Sequence, residues 1–146
     1  MAKPQDNAAT VRELIERVMN EGDIAFADKV LSESYVEQSP MPGGTADKAG
    51  AIAMFTMMRK QTPDMHIDVE DVIASGNKVA VRSTMTGTDT EGMMPGMPAT
   101  GKPFSMGAID VFTFDDGGMN TEHYGVYDIA GTMAQLGMMP TPPPPD

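Results

Sequence analysis

The order of hydrophobic periods along this chain points to an α+β domain in which helices pack on one face of a curved antiparallel sheet. Apolar residues recur at helical spacing up to about residue 60, then alternate at period two from Ile67 onward, and turn-forming residues separate the runs. Three helices, a four-stranded meander with a small extra strand near Tyr35, and a short closing helix follow from that order.

Asn7 or Thr10 is the candidate cap of a first helix whose Val11, Leu14, Ile15 and Val18 share one face, and Asn20-Glu21-Gly22 supplies its stop. Asp23 reads as the cap of a second, shorter helix with a stripe of Ile24, Ala27, Val30 and Leu31. Tyr35-Val36-Glu37 is a short extended piece. Pro40, Pro42, Gly43 and Gly44 force a turn before Thr45, after which Ala49, Ile52, Ala53, Phe55, Thr56 and Arg59 follow a third helical run that Pro63 ends.

Beyond it, Ile67, Val69 and Ile73 lie on one face of a strand and His66, Asp68 and Glu70 on the other. Gly76-Asn77 is a hairpin signal, and Val79, Val81, Ser83 and Met85 then alternate with Lys78, Ala80, Arg82 and Thr84. After a methionine-, proline- and glycine-rich loop over residues 91–102 come two strand runs, 104–114 and 119–128, joined by Asp115-Asp116-Gly117-Gly118. A helical run over 129–136 stops at Gly137. The domain thus covers residues 1–139. Residues 140–146, with five prolines unable to donate to helix or sheet, read as a disordered tail.

A chain of 146 residues fits one core of ordinary size. Its formal charge of -11 disfavours phosphate backbones and anionic lipid surfaces, so nucleic acid and membrane are not expected partners. The absence of cysteine removes disulfides, thiolate nucleophiles and cysteine-ligated metals. The start of the chain has no apolar signal-like run, and a cytoplasmic location is the default expectation.

Several strings, taken in order, carry a family resemblance. They are Asn20-Glu21-Gly22-Asp23 within the first helix pair, Thr62-Pro63-Asp64-Met65 at the helix-to-strand junction, Pro98-Ala99-Thr100-Gly101-Lys102 before a long strand, and Glu122-His123-Tyr124-Gly125-Val126-Tyr127-Asp128 in the last one. Together with Gln135-Leu136-Gly137 they make the chain resemble the SnoaL-like polyketide cyclase branch of the nuclear transport factor 2-like superfamily. The resemblance implies a cone-shaped α+β barrel around an apolar pocket, dimerisation through the sheet, and no cofactor. It also implies acid–base chemistry of cyclase or isomerase type on a polyketide-like or other carbonyl substrate. The alternative on the same scaffold is a non-catalytic binding protein for a hydrophobic small molecule. Three positions depart from the branch: the 104–114 run holds no histidine, Gln38 stands where many relatives have one, and Tyr124 replaces a frequent tryptophan.

Asp128 stands where the branch has its acid–base aspartate, and an acid held away from water is a usable proton carrier. Capping of the helix that begins at Ile129 is its competing role. If Phe114 faces Met119 across the turn, Ile109 lies opposite Tyr124 and Ser105 opposite Asp128. One face then gathers Ser105, Ile109, Val111, Thr113, Tyr124 and Asp128, with Tyr124 and Ser105 able to donate to a substrate oxygen. Tyr35, Met54, Phe55, Met58, Met85 and Met97 complete the expected pocket, thioethers giving it an adaptable lining. His123 falls on the opposite face, across from Asp110, as a cross-strand ion pair at a sheet surface or dimer interface. A His66-Ile67-Asp68 plus His123 iron site and a copper(I) site at Met93, Met94 and Met97 match by residue type only, and no metal is expected.

Overall fold

Pro4 occupies the first helical position, where its missing N–H leaves nothing unpaired, and α1 (Pro4–Leu14) therefore begins ahead of the caps expected at Asn7 and Thr10. Asn7 is instead buried inside the helix, and the Thr10 hydroxyl donates to the Asp6 carbonyl. The computed structural model describes residues 3–94 and 96–139, so the proline-rich tail expected at 140–146 lies outside the described residues. α1 runs on through a π-helical turn, Ile15–Asn20, and the chain breaks direction at Gly22, whose φ of 81° suits glycine. Asp23 precedes α2 (Ile24–Val30) without capping it, because its carboxylate accepts from the Arg17 guanidinium at 2.7 Å. The stripe expected on α2 faces the core, Ala27 and Leu31 buried and Ile24 and Val30 packed half-buried against it, and Phe26 is buried beside them.

β1 (Leu31–Glu37) follows α2 directly and is longer than the Tyr35–Glu37 piece expected. α3 (Lys48–Gln61) is capped by the Asp47 carboxylate, which accepts from Gly50 N at 2.9 Å. The rest is β2 (His66–Ser75), β3 (Lys78–Thr88), β4 (Pro103–Phe114), β5 (Asn120–Tyr127) and α4 (Ile129–Gln135). The sheet order is β1-β5-β4-β3-β2. β2 to β5 form the antiparallel meander, while β1 joins the far edge of β5 in parallel, bringing Glu37 opposite His123.

The turn pairs Phe114 with Asn120, one residue beyond the Met119 expected, and a bulge between Thr113 and Phe114 adds a second, so the β4–β5 register lies two residues from the one expected. Ile109 pairs with Val126, Val111 with Tyr124, Phe112 with His123 and Asp110 with Gly125. Because two is a whole pleat, the residues keep their faces. The core claims the face opposite to the one expected. Phe104, Met106, Ala108, Phe112 and Phe114 are buried against the helices, and Ser105 and Ile109 are exposed. The reason is area: burying a phenylalanine contributes roughly 1.5–3 kcal/mol, so a strand turns inward the face holding three of them. Val11, Leu14, Val18, Leu31, Val79 and Val81 complete the centre. No helix among the described residues is long and apolar enough to cross a membrane.

Candidate active site

Between the inner sheet face and the helices lies a cavity of about 90 Å³. Leu14, Ile15 and Met19 wall it from the first helix, Met54, Phe55 and Met58 from α3, and Met85, Met106 and Phe112 from the sheet. Into these apolar walls the strands insert a continuous polar line. On β1, period-two alternation puts Tyr35 and Glu37 on the same inner face, and the Tyr35 hydroxyl donates to Glu37 Oε2 at 2.8 Å. His123, brought opposite Glu37 by the parallel pairing, places Nδ1 2.8 Å from that oxygen and Nε2 2.8 Å from Asp110 Oδ1. The Tyr127 hydroxyl donates to the same Asp110 oxygen at 3.2 Å. Ser39 closes the line at the Glu37 end, its N–H and hydroxyl both donating to Oε1.

This arrangement decides the charge of the ring. Burial opposes an imidazolium, but the hydrogen bonds and charges of Asp110 and Glu37 outweigh it and raise the His123 pKa from 6.5 to about 9. Burial likewise works against the Glu37 carboxylate, and the His123, Ser39 and Tyr35 donors outweigh that, holding it below the usual carboxylate range. Burial and the adjoining carboxylates push both tyrosines up, so Tyr35 and Tyr127 stay protonated donors. His123 also packs on Phe112, its ladder partner, with ring centroids 4.9 Å apart, which fixes the plane of the imidazole.

Two features leave this line open to chemistry. Asp110 uses Oδ1 for both of its hydrogen bonds, and among the described residues its second oxygen accepts none while the side chain lines the cavity. Ser83, on the inner face of β3, lines the same cavity and its hydroxyl makes no hydrogen bond among the described residues. Gly125 makes the geometry possible: it pairs with Asp110, and a Cβ there would run into the Tyr127 hydroxyl and stand 2.8 Å from Asp110 Oδ1.

Of the residues expected to form the pocket, Tyr35, Met54, Phe55, Met58 and Met85 line the cavity, and six others lie elsewhere. Asp128 is exposed, and its Oδ1 accepts from Gly131 N at 2.8 Å as the cap of α4. Tyr124 and Ile109 face outward from the sheet. Ser105 docks α4 by exchanging backbone hydrogen bonds with the Gln135 side chain. Thr113 accepts from Lys78 Nζ, and Met97 is exposed on its loop. The ion pair expected between His123 and Asp110 is present, but inside the cone rather than on its surface. His66 and Asp68 are exposed on β2, three strands away from His123.

Glu37, Ser83, Asp110, Asn120, His123 and Tyr127 line the cavity without having been expected there. The signal was available in β4, where Asp110 shares its parity with Phe104, Met106, Phe112 and Phe114. A second hollow of about 400 Å³ lies between the 40–45 loop and α3 and shares Glu37 and Met54 with the first.

A family model described as SnoaL-like polyketide cyclase matches residues 9–136. The chain belongs to that family. Among solved structures it is similar to TsrD from Streptomyces laurentii, 27% identical with a TM-score of 0.83, covering 95% of this chain and 100% of the other. Wild-type IdmH from Streptomyces antibioticus is 28% identical with a TM-score of 0.76 over 90% and 98% of the two chains. An LEH-like epoxide hydrolase of M. tuberculosis, 15% identical with a TM-score of 0.69 over 92% of each chain, shares the fold alone. No curated protein matches the sequence. The SnoaL-like, nuclear transport factor 2-like architecture expected from the sequence is the one present, a curved five-stranded sheet closed by helices.

Proposed function

We propose that the chain is an acid–base enzyme of cyclase or isomerase type acting on a polyketide-like carbonyl compound, with Asp110 rather than Asp128 as the proton carrier. The observation that carries this reading is the free Asp110 oxygen at an apolar cavity wall, its partner oxygen held by His123 and Tyr127. Asp110 takes a proton from the carbon beside a substrate carbonyl, and the Ser83 hydroxyl donates to the enolate oxygen that forms. In a cyclisation the enolate carbon attacks a second carbonyl of the same molecule, and the resulting alkoxide recovers the proton from Asp110. Atoms balance without a cofactor. His123, charged between two carboxylates, positions Asp110 through its Nε2 hydrogen bond.

The cavity beside Asp110, at about 90 Å³, is smaller than the roughly 150 Å³ that accommodates benzene in an engineered core. A larger substrate therefore needs Met54 and Met58 to swing, or extends past Met54 into the second hollow. Membership of this family fits a small-molecule ligand. We also propose that copies pair through the outer sheet face, where Ile73, Ile109 and Val126 are 69%, 54% and 56% exposed.

Exchange of the methyl protons of acetophenone in deuterated water, followed by NMR, tests the chemistry without knowledge of the natural substrate. The reading expects catalysed exchange that Asp110→Asn abolishes and Asp128→Asn leaves within about twofold. Binding of acetophenone with no exchange would favour the alternative, a carrier of hydrophobic molecules.

A further inference from the structure

Asn120 begins β5, at the other end of the strand from Tyr127, and is 1% exposed while lining the cavity. Its Nδ2 donates to the Thr113 carbonyl at 2.8 Å and to the Glu122 carbonyl at 3.0 Å, tying together the two strands at the bulge. Those bonds fix the amide's orientation, because exchanging its two ends would set oxygen against two carbonyl oxygens. Oδ1 is consequently left over. Among the described residues it is the one fully buried side-chain polar atom with no hydrogen-bond partner. The bulge explains the donors and gives no use to the acceptor, and a buried unpaired acceptor weakens the fold.

We propose that Asn120 Oδ1 is a specificity-determining recognition group that accepts a hydrogen bond from a hydroxyl of the ligand at the end of the site away from Asp110. The inference deepens the acid–base reading and rests on it for the carbonyl, though not for the hydroxyl. On β4 the residue paired with Asn120 is Phe114, four positions from Asp110, or about 13 Å along the strand. The hydroxyl that Asn120 reads thus lies at the far end of the molecule from the reacting carbon. Selection follows from desolvation: an apolar isostere leaves Oδ1 unpaired, whereas a hydroxyl pairs it.

Phenol and toluene have nearly the same shape and differ in that one donor. Titrated into the full chain, phenol is expected to bind at least as tightly as toluene. In Asn120→Leu the balance should move about tenfold toward toluene, and in Asp128→Asn, on the exposed cap of α4, it should stay as in the unmutated protein. A preference unchanged by Asn120→Leu overturns the proposal, as does one lost in Asp128→Asn, or a failure of phenol to bind the unmutated chain. Should Asn120→Leu not fold once its Nδ2 anchors are gone, the side-chain amide resonances of Asn120 in the unmutated protein give the answer. They are expected to shift with phenol and not with toluene, and equal responses overturn the assignment. Because these readouts do not require turnover, acetophenone exchange can fail while phenol recognition holds, and the reverse.

Discussion

The two faces of β4 and β5 have opposite characters, and each is the inverse of what its surroundings would suggest. The inner face, packed against helices, carries Asp110, His123 and Tyr127 among phenylalanines, whereas the outer face presents Ile109, Tyr124 and Val126 to solvent. Inside, every charged group is paired and held, as burial of charge demands. Outside, exposed apolar side chains have nothing among the described residues to cover them. Our proposal puts proton chemistry on the inside of the cone and self-association on the outside, although the residues of the two faces alternate along the same strands.

The largest expected effect separates the faces by activity. Asp110→Asn should lower the rate of acetophenone exchange about a hundredfold to ten-thousandfold, the range for loss of one positioned proton carrier. Ile109→Glu or Val126→Arg on the outer face should leave that rate within about twofold while abolishing any dimer seen by sedimentation. An exchange rate that collapsed with the outer substitutions would erase the division.

Next in size is the pH dependence of the inner face. The folded pKa of His123 lies above its ordinary 6.5, so its contribution to stability is complete below 6.5 and is lost as the pH rises through about 9. That loss is roughly 3 kcal/mol for a shift of this size. Glu37 is shifted the other way, so its contribution stands above the ordinary 4.5 and disappears as acid protonates it. Denaturant unfolding should therefore show the cluster's contribution greatest between about pH 4.5 and 6.5. The alkaline decline should vanish in His123→Gln.

Smaller effects sharpen the geometry. Gly125→Ala places a methyl group where the Tyr127 hydroxyl and Asp110 meet, and should cost roughly 1–3 kcal/mol together with most of the exchange activity. Asp128→Ala removes only the cap of α4 and should cost about 1 kcal/mol in thermal unfolding with activity retained.

The architecture was legible because the main change of period falls near Pro63, and because turns at Gly76-Asn77 and Asp115–Gly118 separate strands that pair with their neighbours. The site was less legible, for two reasons. The β1–β5 contact is parallel and joins residues 86 apart, so no local signal shows that Glu37 meets His123. The inner face of β4 was recorded in its phenylalanines, but Asp110 among them looks like a surface residue until its partners are known. Asp128 was misplaced because the strand ends at Tyr127, and the next residue turns outward to cap the helix.

Nitrogen-15 NMR of the His123 ring in the intact protein tests the buried relay most directly. The account predicts both ring nitrogens protonated at pH 7.5, deprotonation centred near 9, and a fall of that midpoint in Asp110→Asn. A neutral imidazole at pH 7.5, titrating near 6.5 and indifferent to Asp110, would contradict it.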